Sequence, residues 1–159
     1  MRSRYLGTVF IFFFILFAVA RLAQAQQPLA TAETNWSGVA LDVMTVERKG
    51  SVLTVKWAVR NHGPARIQVI FDLLSDHATT YAVDQEHGAK YYVLTDKEKH
   101  ALASASEYTG SGTGISEAIE PGATKRYWMK LPAPPPQVKK ITVFFSKTEP
   151  FEDLAITDK

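Results

Sequence analysis

"SVLTVKWAVRNHGP", Ser51 to Pro64, decides the fold. In an extended chain Leu53, Val55, Trp57 and Val59 fall on one face, and Thr54, Lys56, Ala58 and Arg60 on the other. This period of two, rich in β-branched and aromatic residues, predicts a half-buried strand with Trp57 as a central core residue. Asn61, Gly63 and Pro64 end it. Just upstream, "VALDVMTVERKG" (Val39 to Gly50) sets Val39, Leu41 and Val43 on one face and closes at Lys49-Gly50. The two segments together predict a hairpin.

The pattern continues outward. "RIQVIFDLL" places Ile67, Val69, Phe71 and Leu73 inward. "TTYAVDQEHGAKYYVLTD" predicts a second hairpin turning near Gln85 to Gly88. "IEPGATKRYWMKLPAPPP" gives a Pro-Gly turn and a strand from about Thr124 to Leu131. The Pro132 to Pro136 run lacks ladder donors and predicts a crossover. "VKKITVFFSK" and "EPFEDLAI" supply the last strands. No stretch after the leader shows a sustained helical period. About seven short strands with turn signals between them predict an all-β chain folded as an antiparallel β-sandwich.

The first residues predict export. Arg2 and Arg4 precede fifteen uncharged residues, Leu6 to Ala20, and Ala23-Gln24-Ala25 offers a small-residue cleavage site. The apolar run falls short of the roughly 20 residues of a spanning helix. We therefore expect residues 1–25 to be a signal peptide cut near Ala25, with a retained N-terminal membrane anchor as the alternative. Residues 26–37 read as a polar lead-in and 38–159 as the folded domain. The expected location is periplasmic or secreted, without membrane insertion after the leader is removed.

Charge and cysteine count narrow the function. The formal net charge of +2 includes Arg2, Arg4 and Arg21, and residues 1–25 hold no acid, so the mature chain carries −1. The basic balance belongs to the leader, which argues against a nucleic-acid partner. Zero cysteines exclude thiol catalysis, cysteine zinc sites, iron–sulfur clusters and disulfides, leaving the fold to be held by burial.

As an ordered set, "ERKGSVLTVKWAVRNHG" (Glu47 to Gly63), "TYAVDQEHGAKYYVLTD" (Thr80 to Asp96) and "EPGATKRYWMKLPAPPPQVKKITVFFSKTEPFEDLAI" (Glu120 to Ile156) resemble an exported bacterial immunoglobulin-like domain. Such domains occur alone or ahead of OmpA-type peptidoglycan-binding domains in envelope proteins. The resemblance implies an immunoglobulin-like fold and an envelope location, and it carries no catalytic residue set. The sequence closes at Lys159 without a peptidoglycan-binding domain, so wall anchoring is not implied. Its loop at Lys97 to Gly114 is longer than the family pattern.

No catalytic, metal or cofactor constellation emerges. His62, His77, His87 and His100 lack the i, i+2 or i, i+4 spacing of paired ligands, although His77 and His87 could meet across a hairpin. "GSGTG" at Gly110 to Gly114 lacks the Lys-Ser/Thr ending of a phosphate loop, and its Ser111 is flanked directly by glycines, unlike a nucleophile elbow. Asp84 and Asp96 bracket the second hairpin and Glu149, Glu152 and Asp153 cluster near the end, but Asp beside a turn ordinarily caps its own backbone. The run "DKEKH" reads as solvated surface.

Aromatics are more informative. Tyr91 and Tyr92 are neighbours in one strand, so one ring must leave the core. Tyr108 lies in the polar Asp96 to Ser116 loop beside Glu107. Tyr92, Glu107 and Tyr108 are the expected binding residues, because exposed tyrosine among Ser and Gly suits adaptable contact surfaces. The expected function is a non-enzymatic interaction module binding an envelope protein or glycan. The alternatives are a small periplasmic hydrolase or metal-binding accessory using His77, His87 or the acids, and a periplasmic immunity or inhibitor protein.

Overall fold

Ser51–Pro64 forms strand β3 (Val52–Asn61), and β2 (Val39–Lys49) runs antiparallel to it, in register from Val39↔Asn61 to Lys49↔Val52. The turn between them closes at Gly50, whose φ of +56° suits glycine. Leu53, Val55, Trp57 and Val59 are fully buried, as the alternation requires. The computed structural model describes residues 27–74, 78–104, 106–108 and 113–159, the 106–108 stretch as main chain only. Residues 1–26, and with them the expected signal peptide, lie outside the described residues.

The described residues hold only strands and turns. One sheet has the order β1-β2-β3-β9, where β1 is Ala30–Glu33 and β9 is Thr124–Pro132; β12 (Thr157–Asp158) adds to β2 in parallel. A second sheet is β4-β8-β7, from Ile67–Leu74, Thr113–Ile119 and Ser106–Tyr108. A third is β11-β10-β5-β6, from Phe151–Ala155, Lys140–Phe144, Tyr81–Asp84 and Ala89–Tyr91. Every pairing except β12 with β2 is antiparallel. Among the described residues no helix is long and apolar enough to cross a membrane.

The three sheets share one core, an all-β arrangement consistent with a β-sandwich. Trp57 of the first sheet meets Phe71 of the second at 5.6 Å between ring centroids and Phe145, just after β10, at 5.0 Å. Tyr127 closes the cluster at 5.6 Å from Trp57. Buried residues of β2, β4, β8, β9 and β10 pack around these rings. Each of these rings buries more apolar area than an aliphatic side chain does.

Four strands exceed the sequence reading. β1 lies inside the stretch read as a lead-in. β7 and β8 replace much of the expected Asp96 to Ser116 loop with a hairpin on β4, in which Phe71 faces Ile115 and Ile67 faces Ile119. Glu117 sits between Ile115 and Ile119 on the same side of β8 and interrupts the apolar alternation that would have announced a strand. β12 is two residues long.

The front of that expected loop is a strap along the free edge of β9. Ser104 N–H donates to Trp128 O (2.9 Å), Trp128 N–H to Ser104 Oγ (2.9 Å), Lys130 N–H to Leu102 O (2.9 Å) and Leu94 N–H to Lys130 O (2.8 Å). An uncovered edge would offer these groups to another chain. The strap folds on itself through the Thr95↔Ala101 bridge.

The proline crossover is held by Arg48. A bulge between Val43 and Thr45 shifts the phase of β2, so Arg48 turns inward and is 5 % exposed. Its guanidinium donates to the carbonyls of Pro134, Pro135, Pro136 and Val138 at 2.8–3.2 Å, and its Nε to Asp158 at 2.6 Å. Three of these four acceptors belong to a proline run that has no N–H groups of its own, so one fork-shaped cation anchors it. At the other end of β2, Gly38 (φ +72°) lies where an added Cβ would sit 2.7 Å from Gly63 Cα.

Candidate binding face

Three adjacent aromatic pairs lie on strands or at strand ends, and each is split between core and surface. Phe145 is buried while Phe144 turns out; Tyr127 is 3 % exposed and Trp128 37 %. Tyr91 packs against the core and Tyr92 is 48 % exposed, which settles the register the sequence left open. Side chains that alternate across a strand must divide such pairs.

Two of the outward rings, Phe144 and Tyr92, each pack against Tyr81 of the third sheet. Phe144 faces Tyr81 across β10 and β5, and their rings stack at 4.7 Å with 13° between planes. Tyr92 adds a third ring at 5.8 Å from Tyr81, and Lys90 Nζ lies 5.0 Å from the Tyr81 centroid. The result is a ridge of three rings with a cation–π contact, whose outermost member is half in water. Burial, and then the Asp84 charge, raise the Tyr91 phenol above its ordinary range.

A hollow of about 370 Å³ lies alongside, lined by Asp84, Gln85, Glu86, Lys140, Thr142 and Asp153 among others. It joins two of the acids considered for hydrolysis, Asp84 and Asp153. Their oxygens are already engaged. Asp84 Oδ1 accepts the Glu86 and His87 N–H groups (3.0 and 3.3 Å) and Oδ2 meets His87 Nδ1 at 2.7 Å, the self-capped turn expected of Asp there. Asp153 pairs with Lys140 at 3.5 Å.

The described histidines, His62, His87 and His100, lie outside the strands. His62 Nε2 sits 3.6 Å from Glu33, and His100 Nδ1 3.1 Å from Asp96. Among the described residues, one group of three metal-ligating side chains lies within 4.8 Å of one another: Asp96, Glu98 and His100, at the tip of the strap. Asp96 there accepts the His100 main-chain N–H (2.8 Å) and meets its ring. The main-chain bond leads the causes that hold the Asp96 carboxyl below its usual range. His77, and with it the alternative of a meeting with His87, lies outside the described residues, as do Gly110 to Gly112 and the side chains of Glu107 and Tyr108. Of the expected binding residues, Glu107 and Tyr108 lie in β7, and Tyr92 alone has a described side chain.

Compared with known protein families, curated proteins and solved structures, the chain matches none. The site therefore stands on its own geometry. Tyr81, Phe144 and Trp128 were not singled out from the sequence. The doublets Phe144–Phe145 and Tyr127–Trp128 carried the same signal as Tyr91–Tyr92, because any aromatic doublet in a two-faced strand sends one ring outward.

Proposed function

We propose that this chain is an exported, non-enzymatic immunoglobulin-like module of the bacterial envelope, and that it binds a partner protein through the Phe144–Tyr81–Tyr92 ridge. The observation that carries the reading is Tyr92, a large ring 48 % exposed beside the stacked Tyr81 and Phe144 rings. Exposed tyrosines with a neighbouring cation are the side chains that dominate protein contacts. Phe144 and Tyr81 cover one another face to face, so the ridge offers ring edges and hydroxyls more than open faces. That favours a protein surface over a stacked sugar. The leader pattern at Arg2 to Ala25 supports export, and the ordered motifs from Glu47 to Ile156 support the immunoglobulin-like family.

A photoreactive phenylalanine at position 92, in the full chain expressed in its own cells, tests this. A defined protein adduct from position 92, absent from the same probe at Lys49, supports the proposal. Adducts that stain as polysaccharide replace the protein partner with a glycan on the same face. Identical products from both positions overturn the ridge as the contact surface.

A further inference from the structure

The first sheet carries a second, differently built surface. The β2 bulge at Met44 opens a hollow of about 440 Å³ on the outer side of the first sheet, lined by Met44, Thr45, Lys56, Arg126 and Trp128 and reaching the buried Trp57 and Tyr127. A bulge leaves one residue unpaired and bends the strand away, which is how a flat sheet acquires a recess. The lining is mostly apolar, through Met44 and the indole of Trp128. Thr45 Oγ1 is buried with no hydrogen-bond partner.

Its charge is of one sign. Lys56 and Arg126 line it, Lys130 Nζ lies 5.7 Å from the Trp128 ring centroid, and no acid is among the lining residues. Acids elsewhere on this face have cations of their own: Asp42 is held by Arg60 at 2.6 Å, and Glu47 by Lys159 at 2.9 Å. Glu47 reaches Lys56 only at 3.6 Å. Arg126 makes no ion pair among the described residues, although its neighbour in sequence, Lys125, is bound to Glu117.

We infer that this recess is a docking site for an acidic polypeptide segment of a partner, with one bulky apolar side chain seated between Met44 and Trp128 and carboxylates on Arg126 and Lys56. Donor-only cations select a ligand that brings its own acceptors. The apolar lining separates an acidic peptide from a uronate-type polysaccharide, which has no large apolar group to bury there. The ridge on the third sheet plays no part, so the two proposals stand or fall separately.

Random short peptides displayed on phage and selected on the purified full chain provide the test. The expected consensus holds Asp or Glu around a single Leu, Ile, Phe or Trp. A synthetic peptide of that consensus should bind more weakly at physiological than at low salt. Arg126→Glu should weaken it at least about tenfold, because reversing a contacting charge replaces attraction with repulsion. Tyr92→Ala should leave it unchanged, and the unfolding midpoint of the Arg126→Glu chain should match the parent. A neutral or basic consensus, acidic peptides that bind Arg126→Glu as well as the parent, or capture of oligouronates with no selected peptide would each overturn the inference.

Discussion

At the residue scale, Arg48 belongs to the interior and Tyr92 to the surface. Arg48 is a cation in the protein interior, satisfied by four carbonyls and Asp158. Replacing it with Ala leaves those acceptors without their donor and should cost about 3 kcal/mol in urea unfolding. Its partner predicts a pH dependence. Arg48 first, then Lys139, lower the Asp158 carboxyl to about 2 from 3.8. A depressed carboxyl contributes stability that is present above its unfolded pKa and lost as pH falls, here through the window from 3.8 down to about 2. Urea midpoints measured across that window should fall less steeply in Asp158→Asn than in the parent; equal slopes would dismiss the pair as a source of acid sensitivity. Tyr92 is the contrast: Tyr92→Ala removes a half-exposed ring and should change stability by no more than roughly 0.5 kcal/mol.

At the element scale, legibility followed periodicity. β3 and β9 were readable because every second side chain is apolar. β2 was readable only to Val43; beyond the bulge the inward phase passes to Val46 and Arg48, and a charged residue at a strand end reads as surface. β8 hid behind Glu117, and β1 and β12 were too short to show a period. The Leu94 to Ser104 strap could not be inferred, since its bonds to β9 join residues far apart in sequence. Two predictions belong here. Gly38→Ala would drive a Cβ against the Gly63 backbone at a positive φ and should destabilise the chain by about 1–3 kcal/mol, read as a lower thermal midpoint. Asp96→Ala removes the acceptor that closes the strap's tip. Hydrogen exchange should then quicken at the Lys130 and Leu94 amides while Val55, in the β2–β3–β9 interior, stays protected.

At the scale of the whole molecule, three sheets enclose one aromatic core and leave two unlike outer surfaces: an aromatic ridge with Lys90, and a basic recess around Trp128. The candidate binding face was half legible. Tyr92 could be named from its doublet, whereas Tyr81 and Phe144 joined it only through the β10–β5–β6 register. The central claim is that one ring of each doublet builds the core while the other faces outward. The most direct measurement is urea unfolding of single alanine variants at Tyr127, Trp128, Phe145 and Phe144. Tyr127→Ala and Phe145→Ala should each cost about 3 kcal/mol or more, and Trp128→Ala and Phe144→Ala no more than about 1 kcal/mol. Equal losses from both members of either doublet would contradict the claim.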